Sequence, residues 1–120
     1  MKELTQDTMP AFLEQFRSTL LERVFTIHGM FGRVHDNVRL AEISDIQVTP
    51  AGVWQIDLRY EGGLEQSLST HFKREGDDEP VVWDVVTSRV WYEFTDHSVE
   101  IHVEQLVPGG LAPYTIRYVF

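Results

Sequence analysis

The segment of residues 81–107 constrains the fold most, because its two arms match when the chain folds back at Asp96 and His97. Side chains of a strand alternate between two faces, so the matched apolar residues lie on one face of a hairpin. The apolar pairs are Phe94–Val99, Tyr92–Ile101, Val90–Val103 and Val86–Val107. The opposite face pairs Arg89–Glu104, Trp91–His102 and Glu93–Glu100. A slip of one residue would set apolar side chains against polar ones, so the sequence predicts an antiparallel hairpin in this register.

Alternating apolar residues on both sides of this hairpin predict further strands. Loops at residues 50–52 and 61–63 pair Val48 with Trp54 and Tyr60 with Leu64. The second loop also predicts the pairs Leu58–Gln66, Ile56–Leu68 and Trp54–Thr70. Matching Phe72 to Val82 then places Leu64 beside Val90. Residues 108–113 are interpreted as a loop before a last strand that runs to Phe120, and residues 30–43 fit either a strand or a helical turn.

The N-terminal part carries a helical pattern. Apolar residues recur at steps of three and four: Phe12, Phe16, Leu20, Val24, Ile27 and Phe31. This spacing predicts an amphipathic helix over residues 8–28, with Thr8 or Asp7 as its cap, Pro10 in its first turn and Gly29 ending it. The expected fold is α+β: one long N-terminal amphipathic helix packed on a curled antiparallel meander sheet of about six strands, in a single domain of residues 1–120.

Composition narrows the classes of function. At 120 residues and 42% hydrophobic content, the chain is long enough for one ordinary core. It has no cysteine, which excludes disulfides, thiolate metal sites and a cysteine nucleophile. The net charge of −9 disfavours direct nucleic-acid binding. No apolar run approaches the ~20 residues of a membrane span and no signal segment is visible, so a cytoplasmic protein without membrane contact is expected.

Joining the hairpin registers predicts a pocket between helix and sheet. Inward polar positions fall at Gln66, Ser88 and Gln105 in one row, with Thr70 and Asp84 side by side further along. Trp54 and Tyr92 flank them. Buried polar groups that converge in an apolar surround are typical of small-molecule sites, and Asp84 is a candidate general base there. A bulge near residues 87–88 would instead turn Asp84 outward.

The opposite face predicts a binding surface. If the strand continues without a bulge, Trp83 and Trp91 are expected to point away from the helix, whereas a bulge would turn Trp83 into the core. The acidic loop with Asp77, Asp78 and Glu79 adds negative charge. The first hypothesis is therefore a non-enzymatic interaction protein, such as an adaptor, inhibitor, chaperone-like or immunity factor, with a basic protein partner or a second copy of itself.

Two other hypotheses remain open. One is a small-molecule carrier or small enzyme that uses the pocket, and the other is an inhibitor that mimics the charge of DNA. The five histidines have no metal-ligand spacing, and no nucleotide or hydrolase motif is present, so neither a metal nor a cofactor is expected.

Overall fold

The computed structural model describes residues 1–30, 32–50, 52–71, 88–107 and 110–120. Within them the chain forms one helix and nine strands of an antiparallel sheet. The elements are β1 (Lys2–Leu4), α1 (Met9–Leu20), β2 (Val24–Met30), β3 (Arg33–Ile43), β4 (Gln47–Val48), β5 (Val53–Tyr60), β6 (Glu65–His71), β7 (Ser88–Phe94), β8 (Ser98–Val107) and β9 (Gly110–Val119).

The predicted fold class is wrong: the protein is mostly sheet, with one short helix, and the sheet of eight to nine strands curls into a half-barrel. The helix spans 12 residues and ends at Leu20 rather than at His28. Thr8 occupies the cap position, but its hydroxyl bonds to Thr5 and Glu3 rather than to a helix amide. Residues 21–23 form a turn, and residues 24–28 of the predicted helix belong to strand β2.

The sheet begins with β1 at one side and continues through β7, β8, β9, β2 and β3 to β5, which also pairs with β4 and β6. The helix packs on the concave face, where Phe12 contacts Tyr92 with ring centroids 4.8 Å apart and Phe16 contacts Tyr118 at 5.2 Å. Apolar side chains from the helix and from most of the strands therefore form one core.

The central hairpin is confirmed within the described residues. β7 and β8 pair from Ser88–Gln105 to Phe94–Val99 in the predicted register, including Arg89–Glu104 and Trp91–His102. The two hairpins on β5 are confirmed as well, with Val48 opposite Trp54 and Leu58 opposite Gln66. Tyr60 donates its amide to the carbonyl of Leu64 across the predicted three-residue loop.

Two predictions about how the hairpins join are wrong. Val90 lies opposite Leu4 of β1, not beside Leu64, because the N-terminal strand occupies that side of β7. Residues 110–113 are not a loop, since β9 already begins at Gly110 and pairs with β8 from there on. Among the described residues, β6 has a ladder with β5 and none with β7.

Candidate functional site

A cavity of about 110 Å³ lies between α1 and the concave face of the sheet. Its walls include Phe12, Ile56, Val90, Ile101, Val103 and Ile116. Leu4 and Met9 close it from the N-terminal segment. The lining also includes Ser67, Ser69 and Tyr114, and none of the described lining residues carries a charge, so the cavity is uncharged and mostly apolar, with three hydroxyl groups.

Strand alternation explains why these side chains converge. Ile101 and Val103 are two residues apart on β8, and both point inward. Ile116 faces Ile101 from β9, and Val90 faces Val103 from β7. The helix contributes Phe12, which is 2% exposed. Each element thus supplies the residues that its periodicity directs toward the core.

A buried polar cluster lies next to the cavity. Tyr60 and Tyr118 both donate to Oε1 of Gln66, at 2.6 and 2.8 Å. Gln66 is two residues from the cavity residue Leu68, and Tyr118 is two residues from Ile116. Burial raises the pKa of both phenols far above their usual value. The two hydroxyls therefore remain protonated donors, and Gln66 satisfies both of them.

Tyr114 stands at the rim of the cavity. Its side chain is 40% exposed, and partial burial raises the pKa of its phenol. Because Tyr114 precedes Ile116 by two residues on β9, it faces the same side of the sheet. It places a hydroxyl-bearing ring between the apolar cavity and solvent.

The residues of the predicted pocket are described only in part. Gln66 is buried and accepts hydrogen bonds from Tyr60 and Tyr118. Ser88 does lie opposite Gln105, and Thr70 opposite Trp54. Tyr92 is buried against Phe12, and Trp54 is half-buried at the edge of the core. Asp84, the candidate base, lies outside the described residues.

The predicted binding surface is described only in part. Trp91 lies on the convex face and is half-buried beneath Arg89, whose guanidinium carbon is 4.8 Å from the ring centroid. Arg89 also pairs with Glu3 at 3.2 Å, which raises the pKa of the guanidinium. Trp83, Asp77, Asp78 and Glu79 lie outside the described residues.

Sequence reasoning missed two features of the site. Tyr60 and Gln66 lie on the neighbouring strands β5 and β6, but Tyr118 lies on β9, which is adjacent to neither of them in the chain or in the sheet, so no local pattern reveals the cluster. The second feature is on the convex face, where Thr115 bonds to His102. The sequence interpretation places a loop at residues 108–113 before the last strand and does not predict the ladder that brings β9 beside β8.

The part of the chain that the structure describes contains neither a metal-binding cluster nor a membrane-spanning helix. There, no three histidine, aspartate or glutamate side chains are close enough to hold a metal ion. No helix in the same residues has the length and apolar character required to cross a bilayer.

Comparisons with known proteins gave no relatives: no family model matches the chain, and no match was found among curated proteins or solved structures.

Proposed function

We propose that this protein binds a small, neutral, apolar molecule in the cavity between α1 and the sheet. The observation that supports this function is an apolar cavity whose walls come from the helix and from several strands. Protein interiors are normally packed to the density of organic crystals, so a space of this size is uncommon in a core. Ligand sites are typically spaces of this kind, with a few polar groups near apolar walls.

The cavity volume limits the ligand to a small group. Apolar cavities of roughly 150 Å³ stay dry and bind benzene. A space of about 110 Å³ therefore suits a ring of similar size, or the end of an alkyl chain with the rest of the molecule toward the rim. An ion is disfavoured, because desolvating a charge without a partner is costly.

Tyr114 supports a ligand with one polar end. Its ring lies at the rim, where a ligand would pass from solvent to the apolar walls. Tyrosine combines an apolar ring with a hydroxyl that forms hydrogen bonds, and this suits a position at such a boundary. The ligand class is therefore a small aromatic or short-chain alcohol, ketone or ester.

The test is titration of the intact protein with benzene, 4-methylphenol and 1-butanol, followed by methyl NMR. Saturable shifts are expected for the methyl groups of Ile101, Val103 and Ile116, which line the cavity. Val103→Leu adds one methylene to the wall and should weaken binding at least about threefold, since a methylene contributes about 0.8 kcal/mol.

The matched control is Val99→Leu, two pairs away on the same strand and face. Val99 is fully buried but does not line the cavity. This variant should lose stability without a change in affinity. Shifts that fail to saturate with any of the three probes, or equal loss of affinity in both variants, would remove the cavity as a binding site.

A protein partner for the convex face is the second candidate. Trp91 supports it, because a half-exposed tryptophan on a sheet is a common anchor of protein interfaces. The Trp91→Ala variant should no longer capture a partner protein. If the partner is a second copy of the chain, the variant should no longer form a dimer in sedimentation velocity. Val34→Ala, at another exposed apolar side chain, is the control. If Trp91→Ala sediments like the wild type and captures the same proteins, this candidate function is rejected.

A further inference from the structure

Three side chains on the convex face form a chain of contacts across β8 and β9. Oγ1 of Thr115 is 2.9 Å from Nδ1 of His102, and Nε2 of His102 is 3.4 Å from Oε2 of Glu100. The other carboxylate oxygen of Glu100 accepts a bond from Nε of Arg117 at 2.9 Å. A hydroxyl, an imidazole and a carboxylate thus lie in sequence, and the carboxylate is held in place from its far side.

The carboxylate determines how the imidazole bonds to the hydroxyl. A carboxylate beside Nε2 favours the tautomer that carries its proton on Nε2. Nδ1 then presents a lone pair to Thr115, and the threonine hydroxyl becomes the donor. This is the relation between nucleophile, base and orienting acid that activates hydroxyl groups in acyl transfer.

Space for a reactant exists beside the threonine. A groove of about 360 Å³ on the convex face is lined by Trp91, His102, Thr115, Pro113 and Met1, among others. The side chains of His102 and Glu100 are 31% and 24% exposed, so the base is partly shielded from water while the hydroxyl faces the groove. Trp91 and Met1 offer apolar surface for the rest of the reactant.

From this geometry we propose that Thr115 is a nucleophile, activated by His102, that accepts the acyl group of small activated esters. The threonine oxygen attacks the ester carbonyl and forms a new C–O bond, while His102 takes the hydroxyl proton at Nδ1. The bond to the leaving alcohol breaks, and His102 returns the proton to that alcohol. Attack by water, with His102 again as base, then releases the carboxylic acid and regenerates the threonine.

The position of Thr115 in the sheet limits the range of substrates. Thr115 and His102 face each other within the ladder between β8 and β9, whose amides bond to the neighbouring strands. Free amide donors for the developing oxyanion are an important part of efficient acyl transfer. Reactivity is therefore expected with esters of good leaving groups, such as phenyl esters, and with slow turnover.

The experiment measures release of p-nitrophenol from p-nitrophenyl acetate by the purified full chain. The expected result is a burst of about one equivalent per chain followed by slow turnover. Peptide mass spectrometry of the quenched protein should find an acetyl group on Thr115. Thr115→Val, which preserves shape, and His102→Gln should each lower the burst rate about 100-fold or to the background.

Two further variants separate chemistry from structure. Glu100→Gln should lower kcat with little change in KM, because Glu100 acts as a positioning residue through His102. His97→Gln, at an exposed histidine in the β7–β8 turn, should leave the burst unchanged. A burst that persists in Thr115→Val, acetylation found elsewhere, or a wild-type rate equal to that of His102→Gln would overturn the proposal.

Discussion

Gln66 is the residue on which the buried polar cluster depends. Its Oε1 is the acceptor of both Tyr60 and Tyr118. We predict that Gln66→Leu lowers the free energy of unfolding by about 2–6 kcal/mol, because each of the two buried hydroxyls left without an acceptor costs about 1–3 kcal/mol. Tyr118→Phe should cost only about 1 kcal/mol, since Gln66 keeps its bond from Tyr60. Urea titration measures both, and equal losses would contradict this prediction.

The same tyrosines predict a loss of stability in alkali. Burial raises the pKa of Tyr60 and Tyr118 in the folded state above the usual value of 10.0. Above about pH 10 the unfolded chain loses these protons while the folded protein keeps them, so stability falls as pH rises. Their contribution is fully present below about pH 10.

The expected fall is about 3 kcal/mol from about pH 9 to about pH 11, since each of the two retained protons contributes about 1.4 kcal/mol per pH unit above about pH 10 and little below it. Urea titrations across this range measure it. In Tyr118→Phe the slope should be about half as steep. A slope that does not change in this variant would mean that other groups cause the alkaline transition.

For Gln66, the sequence predicts the direction of the side chain but not its hydrogen-bond partners. The hairpin registers place Gln66 on the same face as Leu68, and the structure shows it buried there. Its partners were not predictable, because Tyr118 is 52 residues away in sequence. Alternation specifies which way a side chain points, whereas the element that lies opposite depends on how the sheet curls.

At the level of elements, β2 shows how one pattern supports two structures. Val24 and Ile27 continue the helical spacing of Phe16 and Leu20, which led to the prediction of a longer helix. In the structure, burial instead alternates along β2: Phe25 and Ile27 are buried, Val24 is exposed and Thr26 is half-buried. β-branched and aromatic residues prefer strands, and Phe25 has no place on the helical stripe.

Gly29 of β2 is required by a close approach of two strands. Its φ is +84°, and a Cβ atom there would collide with the carbonyl oxygen of Thr115 on β9. We predict that Gly29→Ala costs about 2–5 kcal/mol in urea titration, from both backbone strain and overpacking.

Gly62 provides the matched control for this prediction. Its φ is +91°, but a Cβ atom there would contact nothing within 4 Å. Gly62→Ala should therefore show the backbone term alone, about 1–2 kcal/mol. If the two variants lose the same stability, the contact with β9 does not matter.

For the whole molecule, the sequence predicted the local hairpins and missed the way they join. The β7–β8 and β5–β6 registers follow from short loops and alternating residues, which act over a few positions. The β1–β7 ladder joins residues that are far apart in the chain, with Glu3 and Arg89 separated by 86 positions. β1 has only three residues, too few for a periodic signal.

Leu4 tests whether this distant ladder holds the half-barrel together. Leu4 is 6% exposed, lies opposite Val90 and lines the cavity. We predict that Leu4→Ala lowers the free energy of unfolding by about 2–4 kcal/mol, because it removes buried methyl groups and enlarges an existing cavity. Glu3→Gln, on the adjacent residue, breaks only the exposed ion pair with Arg89 and should leave the urea midpoint unchanged. Similar losses of stability in both variants would show that β1 is attached through its charged face. A Leu4→Ala protein as stable as the wild type would show that the half-barrel closes without the Leu4 side chain.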